Sequence, residues 1–335
     1  MFSRLRLGML SALLACGAFF PLHAATKDGQ FAEQQLRHIA TYFPGRMAGS
    51  PAEMLNADYL QQQFQQWGYA SNKRDFTTRY QYKSQDGHVS EHNVTATSVI
   101  AARAGDVPQQ IVILAQADTY LPQSDSDRQK NLGGLTLQGA DDDASGLAVM
   151  LELAEQLKSV PLHYGLRFVA LSGESLHGEE DYLARMTPEE KKHTLLVIKL
   201  NGLLTGDKLF FNSGANTPEP VARQTRDRAL AIARAANITA ATLGKMVKKE
   251  PAVDVFDKAG IPLLSVRAAN WGKNGQRLRT TNAHFPEGSC QRRADCDNLA
   301  YLDRWLPGRI THRTHDSVKI LRPLIRELAN PQPEP

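Results

Sequence analysis

The chain has 335 residues, 42% of them apolar and 22% charged, with 39 Lys and Arg against 35 Asp and Glu. This composition leaves room for one large α/β domain or two smaller ones and excludes disorder, collagen and coiled coil. Of the formal +4, two charges (Arg4 and Arg6) fall in an expected leader, and no cluster of basic with aromatic residues marks a nucleic-acid surface.

Met1 to Ala24 reads as a secretory signal. Arg4 and Arg6 form the positive start, Leu7 to Phe20 the apolar run, and Leu22-His23-Ala24 the small-residue cleavage site. The mature chain is therefore expected in the periplasm or outside the cell. Leu13-Leu14-Ala15-Cys16 also fits a lipidation box, a reading that the continuation of the apolar run to Phe20 disfavours. The run is too short to span a bilayer as a stable helix, and no transmembrane segment is expected later. With Cys16 removed, Cys290 and Cys296 are left; an even count in an exported chain favours a disulfide closing a short loop over two free thiols.

The domain is expected over residues 25–330, followed by a polar tail at 331–335. Phe31, Leu36, Ile39 and Ala40 give helical spacing from Gln30 to Tyr42, stopped by Pro44-Gly45. Ser50-Pro51-Ala52-Glu53 is a capping box with proline at the first helical position, and Gly68 ends that helix. Phe76 to Tyr82 and Val94 to Ala101 read as a hairpin around Gln85-Asp86-Gly87. Ile111 to Ala115 is a continuous apolar run, as in a strand buried on both faces. Strands at Leu166–Leu171, Leu195–Leu200, Lys208–Phe211 and Ile261–Val266 then alternate with helices at about Ser145–Lys158, Pro218–Ala236 and Thr314–Leu328. The alternation predicts a single α/β domain: a mostly parallel, mixed, twisted sheet with helices on both faces.

Ligands in such sheets sit at the carboxyl ends of the strands. The segments there are Gln116-Ala117-Asp118-Thr119, Ser172-Gly173-Glu174-Ser175 and Asn201-Gly202, with Gly139-Ala140-Asp141-Asp142-Asp143-Ala144-Ser145-Gly146 ahead of the first crossover helix. Three adjacent carboxylates need a cation, helix amides or open water; on composition alone a solvated helix cap is the simplest account.

Gly-Ala-Asp-Asp-Asp-Ala-Ser-Gly resembles the signature of the two-zinc aminopeptidases of bacterial leucyl aminopeptidase type, the family-28 metallopeptidases. Phe43-Pro44-Gly45-Arg46-Met47, Ser50-Pro51-Ala52-Glu53-Met54, Gly133 to Gly139 and Phe256 to Ile261 are similar to one exported branch of that family. The resemblance spans nearly the whole chain and implies the zinc aminopeptidase fold. It also implies a ligand set of His, bridging Asp, Glu, Asp and a second His, with a general-base Glu before the ligand Glu.

Carried over residue by residue, the first His position holds Gln116, in a His-x-Asp frame that keeps Asp118. The bridging Asp is Asp142. The base is Glu174, but the ligand after it is Ser175; the next Asp position holds Asn201. The second His position, counted back from Leu306-Pro307-Gly308-Arg309-Ile310, holds Arg292. Amides and hydroxyls are poor zinc donors, and a guanidinium brings positive charge to the place of the cation. Zinc is the family's cofactor, yet with Asp142 the only ligand kept, none is expected to bind. Without it nothing lowers the pKa of the attacking water from about 16 toward 7, and Glu174 as a lone base contributes about 100- to 10,000-fold.

The resulting expectation is an exported member of the family, catalytically impaired or inactive. It would bind peptide or protein N-termini in the old cleft through Asp118, Asp142 and Glu174. The alternative is an active metallo-aminopeptidase with a one-metal site rebuilt from Asp142, Asp118 and a displaced histidine, for which His284 and the His312-Arg313-Thr314-His315-Asp316 stretch are the candidates. A purely structural exported protein is the third class. For Arg292 two readings stand: it fills the metal volume against Asp142 and Asp118, or it points to solvent on a loop tied by Cys290 and Cys296.

Overall fold

The computed structural model describes residues 27–243, 254–272, 278, 282–285 and 289–331. The expected leader with Cys16, and the tail beyond 331, lie outside the described residues. Eight strands form one sheet: β1 Ala70–Lys83, β2 Val89–Arg103, β3 Val107–Gln116, β4 Tyr164–Leu171, β5 Thr194–Leu200, β6 Lys208–Ser213, β7 Ala240–Ala241 and β8 Leu263–Ala269. Their order is β1-β2-β4-β3-β5-β8-β6-β7. The centre, β4-β3-β5-β8, is parallel, while β1 with β2, β2 with β4 and β6 with β8 run antiparallel.

Period-two alternation explains the layers. Ile111, Ile113 and Ala115 face one core with the helix Gly146–Leu157 and the helix Arg309–Ala329. Val112 and Leu114 face the other, with Val197, Tyr182 and Phe256. The helix Gly146–Leu157 is the innermost: nearly all its residues are buried. Its start presses against β5 so closely that a Cβ on Gly146 would lie 2.5 Å from the Leu200 carbonyl oxygen. Glu152, buried in its middle, accepts hydrogen bonds from the amides of Gly29 and Ala32 at 2.8 and 2.6 Å and so fixes the first helix, Gln30–Tyr42. Ser50 caps the next helix, Pro51–Gln66, as its sequence predicts.

Several boundaries differ from the sequence reading. The hairpin is longer at both ends, because cross-strand pairing from Ala70 with Ala102 to Lys83 with Val89 carries polar residues that break the apolar alternation. The helix predicted over Pro218–Ala236 is a relay of Glu219–Ala222, a π-turn at Arg223–Asp227, and Arg228–Ala235. The closing helix begins at Arg309, after Gly308 in the left-handed region (φ 74°). No helix among the described residues is long and apolar enough to cross a membrane.

Leu114, fully buried at the centre of β3, sets the scale of core packing. Leu114→Ala is expected to lower unfolding stability by about 2–5 kcal/mol through lost burial and the cavity left behind. The half-exposed Val89 should tolerate alanine at a cost of about 0.5 kcal/mol or less. Urea midpoints of the two variants check the contrast.

Candidate functional site

The carboxyl ends of β3, β4 and β5 meet the 139–146 turn and the loop around Arg292. Gln116 and Asn201 lie level on neighbouring strands, one step past the Ala115–Leu200 pair. Gly139, in the left-handed region (φ 55°), has no room for a Cβ: one would lie 2.7 Å from the Asp142 carbonyl oxygen and from the Thr119 methyl. The Asp142–Asp143 peptide is cis.

The three consecutive acids have separate tasks. Asp141 accepts from the amides of Leu204 and Thr205, at 2.8 and 3.4 Å, and from the Thr205 hydroxyl. Asp143 accepts from the Gly202 amide at 3.0 Å and keeps its other oxygen unpartnered. Both therefore tie the turn to the segment after β5. Asp142 alone turns to the cleft, where its Oδ2 lies 3.3 Å from Nε of Arg292. Nη2 of the same guanidinium donates to Glu174 Oε1 at 3.0 Å, and its carbon sits 5.1 Å from the Tyr120 ring centre. The Arg292 backbone is left-handed (φ 68°) and its carbonyl accepts from the Gly133 amide at 2.8 Å.

Of the two readings left open for Arg292, the structure shows it paired, with Asp142 and with Glu174 in place of Asp118. Asp118, buried two residues past β3, feels the backbone amides of Gly173 and Glu174, leaves its Oδ1 unpartnered and forms no ion pair with the guanidinium. Nor does Gln116 face Arg292. Its Nε2 donates to Glu179 at 3.0 Å, and Glu179 is ion-paired with the half-buried Lys199, itself 3.1 Å from Asp254. Ser175 contributes its backbone carbonyl to Gln123, and Asn201 leaves its Oδ1 unpartnered.

Electrostatics follows from burial. Burial first, then Glu174, pushes the Asp142 carboxyl up to about 7, with Arg292 opposing. Burial likewise raises Asp118, Asp143 and Asp297 well above the usual carboxylate range. Burial works against the Arg292 charge, but Glu174 and Asp142 outweigh it and hold the guanidinium above its ordinary value.

Sequence reasoning missed two supports. Arg46 is fully buried and gives its donors to carbonyls: Ala117 and Gly139 at 3.0 Å each, with Gln138 and Phe43. Asp297 accepts from the amides of Asp141 and Asp142 at 2.7 and 3.3 Å. Both act on partners far away in sequence, so no local pattern marks them. The stray histidines stand apart: His312 and His315 are exposed on the closing helix, and His284 stacks on Trp305 with ring centres 3.4 Å apart. Cys290 and Cys296 form a disulfide.

The donors at this site do not suit zinc. Two are neutral amides, one of them (Gln116) already committed to Glu179, and a guanidinium stands between Asp142 and Glu174. Among the described residues, the one trio of His, Cys, Asp or Glu with ligand atoms within 4.8 Å of one another is Cys290, Asp295 and Cys296, and both its sulfurs are in the disulfide.

Residues 93–318 match peptidase family M28. The chain is 53% identical to the alkaline phosphatase isozyme conversion protein of Escherichia coli (strain K12), over 98% of its own length and 99% of that protein's. Among solved structures it shares the fold of an aminopeptidase from Aneurinibacillus sp. strain AM-1, with a TM-score of 0.66 and 15% identity over 91% of this chain and 95% of that one. It is also similar to a zinc aminopeptidase from Bacillus subtilis, with a TM-score of 0.65 and 13% identity over 92% and 97% of the two chains.

The Arg46 geometry predicts a large loss on substitution. Arg46→Leu leaves the Gln138 and Phe43 carbonyls without their donor, while Ala117 and Gly139 keep Asn56 and the Ala144 amide, and it removes the buried counter-charge, so stability should fall by about 3–5 kcal/mol. Urea unfolding of purified Arg46→Leu measures it.

Proposed function

Since the chain belongs to peptidase family M28, we propose that it is an exported, non-hydrolysing member whose cleft binds peptide or protein N-termini. One observation carries this reading: the Arg292 guanidinium lies against both Asp142 and Glu174, supplying fixed positive charge where the family resemblance calls for zinc. In this reading Gln116, Ser175, Asn201 and Arg292 stand at lost ligand positions and Asp142 is the ligand retained. An N-terminal ammonium would find acceptors in Asp118, Asp142 and Glu174, with no activated water to follow. Delivery to the periplasm or the outside rests on the Met1–Ala24 segment.

The test has two arms. Metal analysis of the purified protein should find zinc far below one equivalent, and added zinc should produce no release of an aminoacyl chromophore. Stoichiometric zinc with chelator-sensitive turnover would establish the alternative, an active aminopeptidase rebuilt around Asp142. The second arm is pH dependence. The folded Asp142 carboxyl lies above its ordinary value, so ionising it costs stability as pH rises from about 4 to 7, and Arg292 offsets part of that cost. Arg292 is 41% exposed, so Arg292→Ala should cost about 1 kcal/mol at pH 8 and clearly less at pH 5. Thermal unfolding with no such difference between the two pH values refutes the charge replacement.

A further inference from the structure

At the opposite end of the sheet, about 16 Å of strand from Asn201, lies a cavity of about 690 Å³ that no residue of the candidate site touches. It is lined by the amino-terminal part of the central strands, where Tyr164 and Leu195 are partly exposed above the buried Ile111 and Leu196, and by Val221 and Leu328. The size and apolar lining are those of small-molecule sites. The polar groups come from the π-turn, a feature found often at functional sites.

There the Arg228 amide donates to the Arg223 carbonyl, five residues back. In an unbroken α-helix these two side chains would point well apart; the extra residue in the turn lets both line the same cavity. Arg228 is spoken for by Glu327, at 2.7 and 2.8 Å. Arg223 makes no hydrogen bond or ion pair among the described residues; the charge nearest it in the turn is Asp227, which feels Arg223 but is hydrogen-bonded by Arg226 at 2.7 Å. An open guanidinium on the rim of an apolar cavity is complementary to one chemistry, a single anionic head on an apolar body.

We propose that this cavity binds a medium-chain aliphatic carboxylate, its chain on the partly exposed Tyr164, Leu195, Val221 and Leu328 and its head on Arg223. The probes are octanoate, octanol and octylammonium, titrated calorimetrically into the full chain below their micellar concentrations. Octanoate should bind more tightly than octanol, and octylammonium least. Arg223 is exposed, so Arg223→Gln should fold normally; it should weaken octanoate by about tenfold or more, the worth of a charged hydrogen bond, and leave octanol unchanged. Val221→Trp, filling the cavity, should abolish both. Equal binding of octanoate and octanol, or indifference of octanoate to Arg223→Gln, overturns the proposal. So does octanoate binding only to a chain ending at Pro331, which also lines the cavity, since that would make the protein's own tail the occupant.

Discussion

Crowded negative charge at the strand ends is the constraint to which the rest of this site answers. Asp118, Asp142, Asp143 and Asp297 are all drawn out of water, and each is pushed toward its neutral form. A cluster of this kind is tolerable only if amides, counter-charges or protons compensate it. Amides and counter-charges are both built in. Backbone amides meet Asp118, Asp143 and Asp297, Arg46 lies buried among them, and Arg292 closes the open side. Arg46 gives all its hydrogen bonds to carbonyls rather than to carboxylates, so it acts on the acids through its field while its geometry pins the loops that carry them.

In the function proposed above, that arrangement stands in for a metal centre. A zinc ion neutralises surrounding carboxylates and polarises what it binds. A guanidinium does the first through directed hydrogen bonds and cannot do the second, because it has no vacant coordination position. The fold can thus keep an acidic crevice assembled without the ion. Gln116 has its own partners: its amide joins Glu179, Lys199 and Asp254 in a half-buried polar chain.

Much of this was legible in the sequence. The apolar run of β3 and the alternation after it gave the parallel centre, and the acidic turns fell at the strand ends because connection rules place them there. Arg292 was legible because a cysteine pair frames it and the family resemblance supplied its position. Its second partner was not: that Glu174 rather than Asp118 receives the guanidinium depends on how loops far apart in sequence meet. Arg46 and Asp297 escaped notice since their partners lie 71 or more residues away for Ala117, Gln138 and Gly139, and about 155 for the 141–142 amides. The π-turn was equally hidden, because nothing in the run from Pro218 to Ala236 marks where one residue is inserted.

The long outer strand β1 leaves one margin of the sheet without a neighbouring strand, and its residues include Lys73, Arg74, Arg79 and Lys83. Bare margins of this length invite stacking between molecules, and spaced cations are a common deterrent. Arg185 further occupies the Asp75 carbonyl, and Lys83 gives its amide to Gln123. Along this flank the cations and the occupied carbonyl and amide guard the chain against fibrillar self-association.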